Sequence, residues 1–90
     1  MIDTKTATNY LMRKGFAIDK NGFIVGSNGI PIVICIHCGK IYNDKYTRPS
    51  RTGAHCPYCG SPETAELETD DIEWFASTLS ADSRELGRLT

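Results

Sequence analysis

Two cysteine pairs constrain this chain more than any other feature. Cys35-Ile36-His37-Cys38-Gly39 and Cys56-Pro57-Tyr58-Cys59-Gly60 repeat a C-x2-C pattern, with seventeen residues between the pairs. Cysteines two residues apart can turn both sulfurs to one side of a tight turn. Two such turns complete a tetrahedron of thiolates at ~2.3 Å from one ion. Glycine directly after each second cysteine suits a turn that leaves that residue at positive φ. The same turn aims backbone N–H groups at the sulfurs, which offsets thiolate charge. The expected ligands are therefore Cys35, Cys38, Cys56 and Cys59, around one zinc ion, with iron as the alternative. Two disulfides would need an oxidising compartment. A redox C-x-x-C would use one pair and a βαβ setting. His37 and His55 stand beside the ligands, but four thiolates already fill the shell.

A metal cross-link matters because the chain has only 90 residues. A domain of this size buries only about 60–65% of its unfolded surface, so an apolar core alone is marginal. The 40% apolar and 23% charged content is ordinary globular usage and argues against general disorder. No apolar run approaches the ~20 residues that span a bilayer, so no membrane association is expected. No apolar leader core follows Met1, and a reducing, cytoplasmic setting is expected.

The net charge of -1 conceals an asymmetry. Residues 1–62 carry eight basic and three acidic side chains, and residues 63–90 carry two basic and eight acidic ones, which gives +5 and −6. A divalent ion with four thiolates adds −2 to the first part.

The fold class expected is small α+β, read as one compact domain in three parts. Residues 1–30 give an N-terminal helix and a β-hairpin. The helix runs over 4–14, capped by Asp3 or Thr4, with Ala7, Tyr10 and Leu11 on one face and Gly15 as its stop. Phe16–Ile18 and Phe23–Val25 flank Asp19-Lys20-Asn21-Gly22, whose Asn-Gly step signals the tight turn of a β-hairpin. Residues 31–62 hold the cysteines. Ile30–Ile36 is a strand, with Pro31 marking either an edge strand or the strand's first residue. Residues 43–54 read as a polar loop with room for a short strand pairing. Residues 63–90 form an acidic helical tail. Ile72, Phe75, Ala76 and Leu79 make one apolar helix face, and Asp70 with Glu73 has capping-box spacing. Residues 84–89 read as one more turn or a frayed end.

The cysteine segment resembles zinc ribbons with rubredoxin-like knuckles. The likeness rests on Cys35–Tyr42 and Cys56–Gly60, in a segment of about 30 of the 90 residues. It implies two knuckles, built on β-hairpins or tight turns, that face each other across the ion. Such ribbons serve transcription factors, ribosomal proteins, enzymes and viral proteins. Resemblance to rubredoxin itself implies iron and electron transfer. The chain departs from that pattern in its short inter-pair segment and its lack of an aromatic cluster. The seventeen-residue gap is also similar to DksA/TraR-type zinc fingers, whose helical hairpin is not matched by the β-type sequence of residues 15–34.

Two further groups are candidate contacts. Lys40, Lys45, Arg48 and Arg51, interleaved with Tyr42 and Tyr46, could meet phosphates and bases. Trp74, with Asp70, Asp71 and Glu73, could anchor a protein partner. Catalysis finds little support: there is no phosphate-binding glycine loop, no H-E-x-x-H, and only half of the zinc-deaminase signature. The leading expectation is a non-enzymatic zinc-ribbon adaptor or regulator that binds a protein, in the transcription or nucleic-acid machinery. The alternatives are direct nucleic-acid binding and a rubredoxin-like iron electron carrier. Exposed strand edges leave monomer and homodimer both open.

Overall fold

The structure, a computed structural model, describes residues 3–50, 53–81 and 84–89. Helix α1 spans Thr4–Arg13. Asp3 caps it, its Oδ1 accepting from the Thr6 N–H at 2.7 Å. At the far end Gly15 takes φ +97°. The Gly15 N–H then reaches Met12 C=O (3.1 Å) and the Phe16 N–H reaches Leu11 C=O (2.9 Å). This is a Schellman closure, and it delivers Phe16 into the core beside Leu11.

Strands β1 (Ala17–Ile18) and β2 (Ile24–Val25) pair antiparallel, as the sequence predicts. The turn between them falls on Asp19–Gly22, where the sequence places it. The Gly22 N–H bonds to Asp19 C=O at 3.1 Å, so Lys20 and Asn21 are its central residues and Gly22 follows at φ +87°. Asp19 decides this: its Oδ1 accepts from the N–H groups of Asn21 and Phe23, both at 2.9 Å. Residues 26–29 repeat the device, with the Gly29 N–H on Gly26 C=O at 2.9 Å.

Strand β3 (Ile32–Cys35) is flanked antiparallel by β4 (Ile41–Asn43) on one side and, on the other, by the later strand Thr64–Glu66. It is a central strand, and Pro31 stands just before its first residue, which settles the two readings of that proline. After β4 come a 3-10 turn at Asp44–Tyr46 and a second hairpin, β5 (Arg48–Ser50) with β6 (Gly53–His55). The segment read as polar loop thus contains its strand pairing. The flanking strand Thr64–Glu66 is β7.

Helix α2 (Ile72–Ser80) is entered through a 3-10 turn at Thr69–Asp71. Its start corrects the expected capping pair. Asp71 Oδ2 accepts from the Glu68 N–H at 3.0 Å, which puts the capping box at 68/71, two residues earlier than 70/73. Glu73 instead accepts from Thr4 Oγ1 at 2.7 Å and ties α2 to α1. Ile72, Phe75 and Ala76 are buried and Leu79 packs against them, as the periodicity predicts.

Residues 84–89 neither extend the helix nor fray. They run parallel to the outer edge of β4 as a strap. The Ile41 N–H bonds to Glu85 C=O (2.6 Å), the Gly87 N–H to Ile41 C=O (2.7 Å), and the Asn43 N–H to Arg88 C=O (2.8 Å). Leu86 and Leu89 pack against the core. On the far side of the sheet the Ile24 N–H bonds to Leu67 C=O at 2.9 Å, so the first hairpin covers the chain beyond β7.

Strand β3 is buried on both faces, which explains why it is β-branched without alternation. Ile32 and Ile34 face the helices with Leu11, Phe16 and Phe75, while Val33 and Cys35 face the opposite way with Tyr42 and Cys56. Ile41 and Tyr42 in β4 divide in the same manner. One face makes an ordinary apolar core, and the other makes the floor of the cysteine centre.

Candidate metal centre

Cys35 ends β3, and the chain turns through Ile36–Gly39 before β4. The Gly39 N–H returns to Cys35 C=O (2.8 Å) and the Cys35 N–H bonds to Lys40 C=O (2.8 Å). The second pair repeats this arrangement: the Gly60 N–H bonds to Cys56 C=O and the Cys56 N–H to Ser61 C=O, both at 2.9 Å. Gly39 and Gly60 both sit in the left-handed region, at φ +77° and +80°. The two turns are near-copies, as the repeated C-x2-C-G predicts.

They face each other. The four sulfurs lie within 4.8 Å of one another, with Cys35–Cys59 at 3.4 Å and Cys38–Cys56 at 3.7 Å. A tetrahedron with ~2.3 Å metal–sulfur bonds has edges of about 3.8 Å, so the donor set fits one ion. The thiols are unbridged. N–H groups point at sulfur as expected, from Cys38 to Cys35 and from Tyr58 to Cys56, each at 3.4 Å. Cys35 and Cys56 are buried, whereas Cys38 and Cys59 are exposed, so the centre opens on one side only. Neither His37 nor His55 belongs to the cluster.

The electrostatics favour a cation. Burial pushes the Cys35 thiol up, but the Cys38 N–H and the Cys59 thiol outweigh it and leave it at about 7. Burial raises Cys38. The Ser61 backbone favours the Cys59 thiolate, yet desolvation and the three neighbouring sulfurs push it up to about 12. A first thiolate forms readily, and each neighbour then resists a second negative charge within 4.8 Å. A divalent ion at the centre removes that resistance. When bound it supplies a cross-link between the two turns. The residues around it hold the sulfurs and exclude water from Cys35 and Cys56.

Tyr42 is the part of this centre that spacing does not reveal. It is fully buried, and its ring meets Tyr58 edge-on at 5.8 Å. Its hydroxyl has no hydrogen-bond partner among the described residues, and the neighbouring Thr47 hydroxyl donates to Asp44 Oδ1 at 2.6 Å. Burial raises that phenol to about 12. Asn43 beside it is also fully buried and fully employed. It exchanges amide bonds with Asn28 (3.1 and 3.3 Å), accepts from the Lys45 N–H (3.1 Å) and donates to Leu89 C=O (3.3 Å).

The other candidate residues separate. Lys40 Nζ donates to Arg84 C=O at 2.6 Å and lies 5.7 Å from the Tyr58 ring. Lys45 is exposed, 5.0 Å from the Tyr46 ring. Arg88 joins them at 5.9 Å from Tyr46, although its sequence position is in the acidic tail. Arg48 contributes its backbone to β5, and Arg51 lies outside the described residues. Trp74 is 45% exposed on α2, with exposed Asp70 nearby in sequence, while Asp71 and Glu73 make the internal bonds given above. No helix among the described residues is long and apolar enough to cross a membrane. No family model matches the chain, nor does any curated protein or solved structure, and what is established of it is a small α+β fold around a four-cysteine metal-binding centre.

Proposed function

We propose that the chain is a non-enzymatic adaptor, stapled by one structural zinc ion, that binds a protein partner through the outer face of α2. The convergence of four thiols carries the structural half of this reading. Four thiolates occupy every tetrahedral position, and a catalytic zinc keeps one open. Zinc suits a redox-silent staple, and four free thiols suit a reducing compartment such as the cytoplasm.

Trp74 supports the partner. It lies about two residues round the helix from the buried Ile72 and Ala76, so it points away from the core. At 45% exposure it leaves a large apolar surface in water beside Asp70 and Ser77, the makings of an interface anchor with a polar rim.

The test combines metal analysis with affinity capture. The purified protein should be colourless and hold one zinc per chain. A red protein with reversible iron reduction would replace the adaptor with an electron carrier. Trp74→Ala should leave zinc content and the circular dichroism spectrum unchanged and abolish capture of a stoichiometric partner. Capture that ignores Trp74→Ala would remove this face from the reading. A point variant is preferable to deleting residues 63–90, because that deletion also removes β7 and the strap.

A further inference from the structure

An open cleft of about 450 Å³ lies on the metal side of the molecule, lined by Lys45, Tyr46, Pro57, Tyr58 and Arg88. Three separate pieces of chain build it: the 3-10 turn after β4, the second cysteine turn, and the strap. Its chemistry is of one kind. Lys45 Nζ and Arg88 Cζ lie 5.0 and 5.9 Å from the Tyr46 ring, and Lys40 Nζ lies 5.7 Å from the Tyr58 ring. Tyr58 is 44% exposed. Among the described residues neither Lys45 nor Arg88 has a carboxylate partner.

Each cation–ring contact stabilises its own pair modestly at an exposed site. That accounts for the pairs. It does not account for their convergence from three elements on one concave surface without an acid among its lining residues. A ligand that fits must offer negative charge and a flat face together. Nucleotides do. Duplex nucleic acid offers phosphates but hides its base faces, so rings in a cleft select unpaired bases. An extended acidic peptide would seek a free sheet edge, and residues 85–88 already fill the β4 edge beside this cleft.

We propose that the Tyr46–Tyr58 cleft binds single-stranded nucleic acid, with bases stacking on the two tyrosine rings and phosphates on Lys45 and Arg88. The site is independent of the Trp74 face, so each can fail without the other. Because every base has a flat face, binding is tolerant of sequence. The metal acts here as a positioning group, since Pro57 and Tyr58 lie between the ligands Cys56 and Cys59.

Fluorescence anisotropy on the zinc-loaded full chain tests this, with a labelled oligothymidylate of about a dozen nucleotides as the probe. Two phosphate contacts predict a log–log salt slope near −1.4, a loss of roughly sevenfold between about 50 and 200 mM salt. Tyr46→Leu should weaken binding roughly tenfold or more through lost stacking. Lys45→Glu, at an exposed position, should weaken it and make the salt dependence shallower. Zinc content and circular dichroism confirm that both variants are folded, and Trp74→Ala should bind as the parent does. Any of four results overturns the proposal: no binding, equal affinity for a duplex of the same length, indifference to Tyr46→Leu and Lys45→Glu, or displacement by polyglutamate as effective as by unlabelled oligonucleotide. If thymidine monophosphate competes as well as the oligomer does, mole for mole, the site belongs to a free nucleotide and the polymer reading falls.

Discussion

Gly39 and Gly60 show how a single residue type serves the metal centre. Each follows a ligand pair at positive φ, and a methyl group added at either would meet no atom of the other described residues within 4 Å, its chain neighbours aside. Space is therefore not the constraint; backbone conformation is. Gly39→Ala should cost about 1–2 kcal/mol, the penalty of placing a Cβ in the left-handed region. Gly39→Asn should cost distinctly less, because asparagine tolerates that region. Chemical denaturation of the zinc-loaded variants checks both, and equal losses for alanine and asparagine would point to a steric cause instead. Gly87 poses the opposite case. Its added Cβ would fall 2.5 Å from the Tyr58 hydroxyl oxygen and 2.8 Å from the ring. There the limit is contact, and the neighbour is the tyrosine of the second cysteine turn.

That contact makes the strap an element with a mechanical role. Residues 85–88 satisfy the outer edge of β4, and the Arg88 N–H also donates to the Tyr58 hydroxyl at 2.9 Å. An uncovered β4 edge would be a site for edge-to-edge pairing, and the strap removes that edge from such pairing. Gly87→Ala should lift it, at a cost of roughly 1–3 kcal/mol. Amide exchange at Ile41, Asn43 and Gly87 should accelerate while α1 and α2 keep their protection. Adding Tyr58→Ala should restore room and recover part of the loss, since residues in contact couple. If the double variant loses the sum of both single effects, the clash is not the cause. The strap was invisible in the sequence for a physical reason. Helices and cysteine turns declare themselves through local spacing, so α1, α2, the first hairpin and the four ligands could be read directly. A strand added in parallel to a distant edge leaves no local period, and residues 84–89 have none. The same limit hid the partners of Asn43 and the migration of Arg88 from the acidic tail to a basic surface.

At the scale of the molecule, one sheet separates two cores of unequal independence. The helix side buries Leu11, Phe16, Ile24, Ile72 and Phe75 against Ile32 and Ile41, with no contribution from the metal. Among the described residues the other side buries only Val33, Cys35, Tyr42 and Cys56, with Tyr46 packed against them. Two of those four are ligands. The sequence alone predicts that a metal-free chain unfolds over residues 31–62, where apolar residues are few. The structure narrows that expectation, because Ile32 and Ile41 anchor β3 and β4 in the helix-side core. Chelation should therefore release the second hairpin and the second cysteine turn, residues 46–62. The strap should loosen with them, since Tyr58 is its clamp. Hydrogen exchange on the zinc-loaded protein, before and after treatment with a strong chelator, measures this. Protection should vanish at Cys56 and Gly60 and fall at Gly87 and Asn43. It should persist at Leu11, Phe16 and Phe75. Readdition of one equivalent of zinc should restore the full pattern. Uniform loss across α1 and α2 would mean that the helix-side core cannot stand without the metal. Unchanged protection at Cys56 and Gly60 would mean that hydrogen bonds within the cysteine turns hold the lobe unaided.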